Sequence, residues 1–134
     1  MSFPTPNLTD EAARLISPLE LAFVGDSVHT LLTRARLMGY RPRDMQRMAA
    51  GQVNARAQAE ALERLMPYLS DAENDIVRRG RNAHARHPAP HSAGEGDYHA
   101  STALEALYGY LYLTGRFERL EEIDRLSRGK DDNA

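Results

Sequence analysis

Ser17-Pro18-Leu19-Glu20-Leu21-Ala22-Phe23-Val24-Gly25-Asp26-Ser27-Val28 combines a clear helix start with a local anomaly. Ser17 is an N-cap, Pro18 takes the first helical position, and Glu20 completes a capping box. The helix is expected to run to about Met38, where Gly39 ends it and Pro42 prevents easy continuation. At 100° per residue, Leu19, Ala22, Phe23, Asp26, Thr30 and Thr33 share one stripe. Asp26 is therefore read as a buried acid on a largely apolar face, where an unpaired carboxylate costs several kcal/mol. Gly25 costs up to about 1 kcal/mol relative to alanine unless another backbone or a ligand must approach there. Two locally unfavourable residues side by side point to a functional constraint.

The flanking sequence is helical throughout. Thr9 caps a short helix reaching Ile16, with Asp10 and Glu11 in its first turn. A helical region covers about 43–65, with a break near Gly51 and alanines at 55, 57, 59 and 61 that suit close packing. Pro67 ends it. Ser70-Asp71-Ala72-Glu73 is another capping box, opening a helix through about Asn82. Pro88, Pro90, Gly94 and Gly96 mark 83–96 as an exposed loop. Residues 97–114 read as helix ended by Gly115, and a last amphipathic helix covers about 117–126, followed by a frayed tail from Ser127. No stretch alternates as a strand does. The expected fold is all-α, a bundle of five to seven helices without a sheet, with one domain over 1–128 and a flexible tail over 129–134.

Composition narrows the classes. The chain has 134 residues, 42% hydrophobic and 27% charged, which suits one soluble domain. It has no cysteine, which excludes disulfides and thiolate zinc sites and fits a reducing compartment. The opening Met1-Ser2-Phe3-Pro4 has neither a basic start nor an apolar core of a secretory signal. No apolar run reaches the length of a membrane span, so a cytoplasmic location is expected. The net charge of -2 offers no global attraction for nucleic acid. Of the 17 basic residues all but Lys130 are arginine, the side chain suited to bidentate phosphate grip. A GC-rich genome produces the same bias.

The helix near the C-terminus repeats the anomaly. Tyr98, Ser101, Thr102, Glu105, Gly109 and Tyr112 share a stripe, and Glu105 stands in an otherwise uncharged run, Ala103 to Tyr112. Gly109 lies one turn on. Two acids on two long helices meet when the helices pack, and oxygen donors without histidine or cysteine suit magnesium or manganese. Such a metal activates water for phosphodiester hydrolysis. For either acid alone, neutralisation by a buried arginine or capping of a neighbouring helix explains as much. The pair, each with its own glycine, favours function.

Phe23-Val24-Gly25-Asp26-Ser27 resembles the signature helix of the ribonuclease III family, and Glu105-Ala106-Leu107-Tyr108-Gly109 resembles that family's second catalytic helix. Together with Val53-Asn54-Ala55-Arg56-Ala57-Gln58-Ala59 and Arg79-Gly80-Arg81-Asn82-Ala83, the order of motifs over 17–124 resembles the Mini-ribonuclease III branch, which lacks a double-stranded-RNA-binding domain. The resemblance implies that Asp26 and Glu105 bind Mg2+ (Mn2+ substituting) and are catalytic. Three further acids of the full-length enzymes fall on Leu19, Ala22 and Thr102, departures that resemble the Mini branch and leave the number of metals open. Glu20 is no substitute, about 120° around the helix from Asp26. It also implies a homodimer joined through the signature helices and hydrolysis of both strands of double-stranded RNA, leaving 5′-phosphates and short 3′ overhangs. The implied substrate is a large-subunit (23S-type) ribosomal RNA precursor.

Arg78, Arg79, Arg81 and Arg86, with His84, His87 and His91, form a basic arm without an acid. A-form RNA is gripped through phosphates and 2′-hydroxyls, so Arg78, Arg79, Arg81, Asn82, His84 and Arg86 are candidate RNA contacts, against the plain alternative of a solvated loop. Arg41, Arg43 and Arg47 extend this surface, with Asp44 among them. A zinc site on the three histidines is disfavoured by the intervening prolines. Tyr108, Tyr110 and Tyr112 are read as packing residues and the methionines as core filler. The rival readings are a non-catalytic RNA-binding dimer on the same fold and a helical adaptor without an RNA role.

Overall fold

The computed structural model describes residues 7–83 and 94–129. These hold α1 (Asp10–Arg14), α2 (Pro18–Arg36), α3 (Pro42–Val53), α4 (Ala55–Leu65), a 3-10 turn (Met66–Tyr68), α5 (Asp71–Arg81), α6 (Glu95–Leu113) and α7 (Phe117–Arg128). No strand occurs among the described residues, and the fold is all-α as expected.

α6 is the axis of the bundle. From Ala100 to Leu111 every residue is buried except Glu105, so this helix is covered on all sides by α2, α4, α5 and α7. Glycines set how closely the neighbours approach. A Cβ on Gly25 would land on the Glu105 carbonyl oxygen and 2.7 Å from Gly109 N, while one on Gly109 would run into the Leu21 carbonyl. The backbones of α2 and α6 thus touch where the two acids sit, which accounts for both mid-helix glycines. Gly80 does the same for α5, its absent Cβ leaving room 2.7 Å from Ala103 Cα.

Element ends follow local chemistry, with several departures from expectation. Ser70 and Glu73 form the full capping box. At Ser17 the hydroxyl accepts from Leu19 N at 3.2 Å, so the expected box with Glu20 is replaced by a one-sided cap. The break between α3 and α4 falls at Asn54, not Gly51. Its extended backbone (φ -74, ψ 161) interrupts the helix and its side chain accepts from Ala57 N at 2.9 Å. α6 begins at Glu95, two residues earlier than the sequence suggests, and closes at Gly115 (φ 71), with Arg116 N donating back to Leu111 O. α7 does not fray at Ser127, which is buried and gives its carbonyl to Arg64 Nε at 2.6 Å.

Two packing expectations are corrected. The described methionines are not core filler: Met38 is 77% exposed, Met66 is exposed, and Met45 and Met48 are half-buried. They sit at helix ends and on α3, outside the volume closed by α6. Tyr108 and Tyr110 are fully buried and Tyr112 half-buried, as packing residues should be.

Candidate active site

α2 and α6 each lend one acid. Because Gly25 and Gly109 let the two backbones meet, Asp26 and Glu105 come within hydrogen-bonding reach of each other. Glu105 is half-buried and its carboxyl is pushed up to about 8, first by burial and then by the Asp26 carboxyl beside it. Among the described residues no guanidinium acts on it, and the Gln58 amide is a further partner, its Nε2 donating to Glu105 Oε2 at 3.4 Å.

Asp26 is not buried, contrary to the sequence reading. It is exposed, and so are Leu19, Phe23 (82% exposed) and Leu31 along the same helix. The buried face of α2 is instead Leu21, Ala22, Gly25, Val28, His29 and Thr33. Helix α2 carries two apolar faces, one spent on α6 and one facing outward, and periodicity alone does not say which is inward.

The expected RNA contacts that are described sit together at the C-terminal end of α5. Arg78 is exposed and donates to Asp75 at 2.7 Å. Arg79 is half-buried and donates to the Ile16 carbonyl at 3.3 Å, so part of its guanidinium serves the fold. Arg81 closes α5 and Asn82 is its exposed C-cap. His84 and Arg86, with His87 and His91, lie outside the described residues. Arg41 and Arg47 both pair with Asp44, at 3.1 and 3.3 Å. Thr102 turns back to the Tyr98 carbonyl.

Sequence reasoning assigned no role to the groups behind the acids. Gln58 and Ser101 are buried, and the Ser101 hydroxyl donates to Gln58 Oε1. His29 Nδ1 lies 3.4 Å from Gln58 Nε2, and burial pushes this imidazole down, partly offset by Asp124. His29 stacks edge-on against Tyr108, whose hydroxyl donates to the buried Asp124 at 2.7 Å. Arg36 and Arg128 pair with the same Asp124. A cleft of about 460 Å³ opens beside His29, rimmed by Arg36, Arg56, Arg64 and Arg128. These arginines are scattered in sequence, so only the packing of α2, α4 and α7 makes them neighbours.

Comparison with known proteins adds the decisive observation. Residues 19–116 match the Ribonuclease III domain. The chain belongs to the ribonuclease III family. It is 48% identical over 123 residues to Mini-ribonuclease 3 of Symbiobacterium thermophilum, covering 86% of this chain and 94% of that protein. Mini-ribonuclease 3 of a Thermoanaerobacter strain is 41% identical over 126 residues, covering 92% of this chain and 88% of that protein. A crystal structure of a Fusobacterium nucleatum protein superposes with a TM-score of 0.73 at 28% identity, over 84% of this chain and 92% of that one. The chain thus stands in the Mini-ribonuclease III branch and is an endoribonuclease of ribonuclease III type, from a family that acts on double-stranded RNA and depends on divalent metal. Among the described residues, no helix is long and apolar enough to cross a membrane.

The donor set of the site fits a divalent cation. Both groups offer carboxylate oxygen, the class that hard cations take, and like charges held this close repel unless a cation or a proton intervenes. Among the described residues no cluster of three histidine, cysteine or acidic side chains occurs, so waters and substrate oxygens would fill the remaining positions.

Proposed function

We propose that the chain is a magnesium-dependent homodimeric nuclease in which Asp26 and Glu105 hold the cation and cut double-stranded regions of a large-subunit ribosomal RNA precursor. The observation carrying this reading is the contact between the two carboxyls across the glycine-mediated crossing of α2 and α6. When bound, the cation acidifies water and offsets charge on the phosphodiester. Asp26 is exposed to solvent, while Glu105 is half-buried and accepts from the Gln58 amide. Mn2+ is expected to substitute, as another hard oxygen-seeking ion.

The exposed apolar face of α2 (Leu19, Phe23 and Leu31) supports a two-fold contact with a second copy through the same helix. Arg78, Arg79, Arg81 and Asn82, with His84 and Arg86 beyond the described residues, supply the proposed phosphate contacts; Arg79 also serves the fold. A single catalytic domain over 1–128, a tail over 129–134 and a cytoplasmic setting complete the reading. The ribosomal precursor rests on the resemblance to the Mini-ribonuclease III branch alone.

Duplex RNA incubated with the purified protein and Mg2+ tests it. Cleavage should vanish with a chelator and in Glu105→Gln, while the variant keeps its oligomeric state and duplex affinity. Substantial residual cutting by Glu105→Gln would exclude Glu105 as a ligand essential to the reaction.

A further inference from the structure

Gln58 is 1% exposed, on the face of α4 that meets α6. Its neighbours on that face are Ala61, Leu62 and Leu65, so packing alone calls for an apolar side chain there. A buried primary amide is costly unless its oxygen and both N–H groups find partners. Here all of them do. The Ser101 hydroxyl donates to Oε1, Nε2 donates to Glu105 Oε2 at 3.4 Å, and Nε2 lies 3.4 Å from His29 Nδ1.

Once Glu105 is ionised, as it must be to hold a cation, its charge selects one orientation of the amide. Turned over, Oε1 would face the carboxylate oxygen, lone pair against lone pair, and Ser101 would lose its acceptor. In the orientation present, Ser101, one turn before Glu105 on α6, pins the oxygen. In that orientation one N–H faces His29 Nδ1 at 3.4 Å, which accepts it in the tautomer protonated at Nε2. The other points at Glu105. Asp26, by contrast, is exposed.

We infer that Gln58, oriented by Ser101 and His29, is a positioning residue that fixes the Glu105 carboxylate for cation binding. This rests on the proposed role of Glu105. Groups that orient a metal-binding carboxylate typically change affinity or activity by roughly 10–100-fold when removed.

The test compares wild type, Gln58→Met, Ser101→Ala and the double variant. Mn2+ affinity is read from the free-ion electron paramagnetic resonance signal, alongside kcat and KM on duplex RNA. Methionine keeps the length and volume of glutamine without its donors, and thermal melting confirms folding. Gln58→Met should weaken Mn2+ binding by about 10-fold or more and lower kcat, with KM for duplex little changed. Ser101→Ala should weaken Mn2+ binding less, and add nothing in the Gln58→Met background, because its effect passes through the amide. Wild-type Mn2+ affinity in Gln58→Met overturns the inference, as do fully additive losses. Should Gln58→Met fail to fold, Ser101→Ala decides alone: wild-type affinity there refutes the orientation. A protein that binds Mn2+ but cuts no duplex refutes the nuclease reading while the affinities still judge Gln58. A protein that binds no Mn2+ refutes both.

Discussion

Gly25→Ala is expected to be among the most damaging single-methyl additions to this protein. The new Cβ has no space. It would meet the Glu105 carbonyl oxygen and lie 2.6 Å from the Glu105 carbonyl carbon and 2.7 Å from Gly109 N. All of these are backbone atoms of α6, the axis of the bundle, and backbone cannot swing aside as a side-chain tip can. The helices must separate, loosening the contacts of Leu21, Ala22 and Val28 with α6. Overpacking typically costs 1–3 kcal/mol, and a backbone-to-backbone clash belongs at or above about 3 kcal/mol. With 134 residues and about 2.1 cal/mol/K of unfolding entropy per residue, that lowers Tm by about 10 °C. Gly51→Ala is the internal control. It sits in exposed α3 with nothing near its missing Cβ, so the same chemical change should stabilise by about 0.5–1 kcal/mol. Melting curves followed by circular dichroism would show shifts of opposite sign. Because Asp26 adjoins Gly25, the surviving folded fraction of Gly25→Ala should also cut duplex RNA poorly at temperatures well below its Tm. A Gly25→Ala protein melting within 2–3 °C of wild type would refute the claim that this crossing is closed at the backbone.

Phe23→Arg should yield a folded single chain, because Phe23 is 82% exposed within its own chain; sedimentation showing an intact dimer would refute the α2 contact. Glu105, pushed up to about 8, favours the protonated form in the folded state. Its stabilising contribution is therefore complete at acid pH and is lost as pH rises through about 8. In chelator, wild-type Tm should fall between about pH 5 and pH 8 more than that of Glu105→Gln, and Mg2+ should restore more at the higher pH; superimposable profiles would count against the carboxyl contact. Tyr108→Phe removes the 2.7 Å bond to the buried Asp124 and should cost about 1–3 kcal/mol, read as a lower urea midpoint at unchanged slope.

The acids illustrate how far local pattern carries. Asp26 and Glu105 stood out because each charge interrupts an apolar run beside a glycine, a signal contained within a few residues. That Asp26 is exposed and Glu105 half-buried was not legible, since α2 has apolar residues on two faces and only the packing of α6 against one of them distinguishes inward from outward. Helix ends were legible where a side chain meets its own backbone, as at Ser70 and Glu73. They were misjudged where a distant residue intervenes: Arg64, remote in sequence, holds the end of α7 at Ser127.

The amino-acid sequence alone determined the all-helical class, the capped starts and the two acids with their glycines, because those depend on interactions spanning at most a turn or two. Tertiary structure decided that the acids come within hydrogen-bonding reach, that Gln58, Ser101 and His29 stand beside Glu105, and that four scattered arginines rim one cleft. Such groupings arise from where helices cross. The crossing is set by steric fit between surfaces far apart along the chain, which no local periodicity encodes.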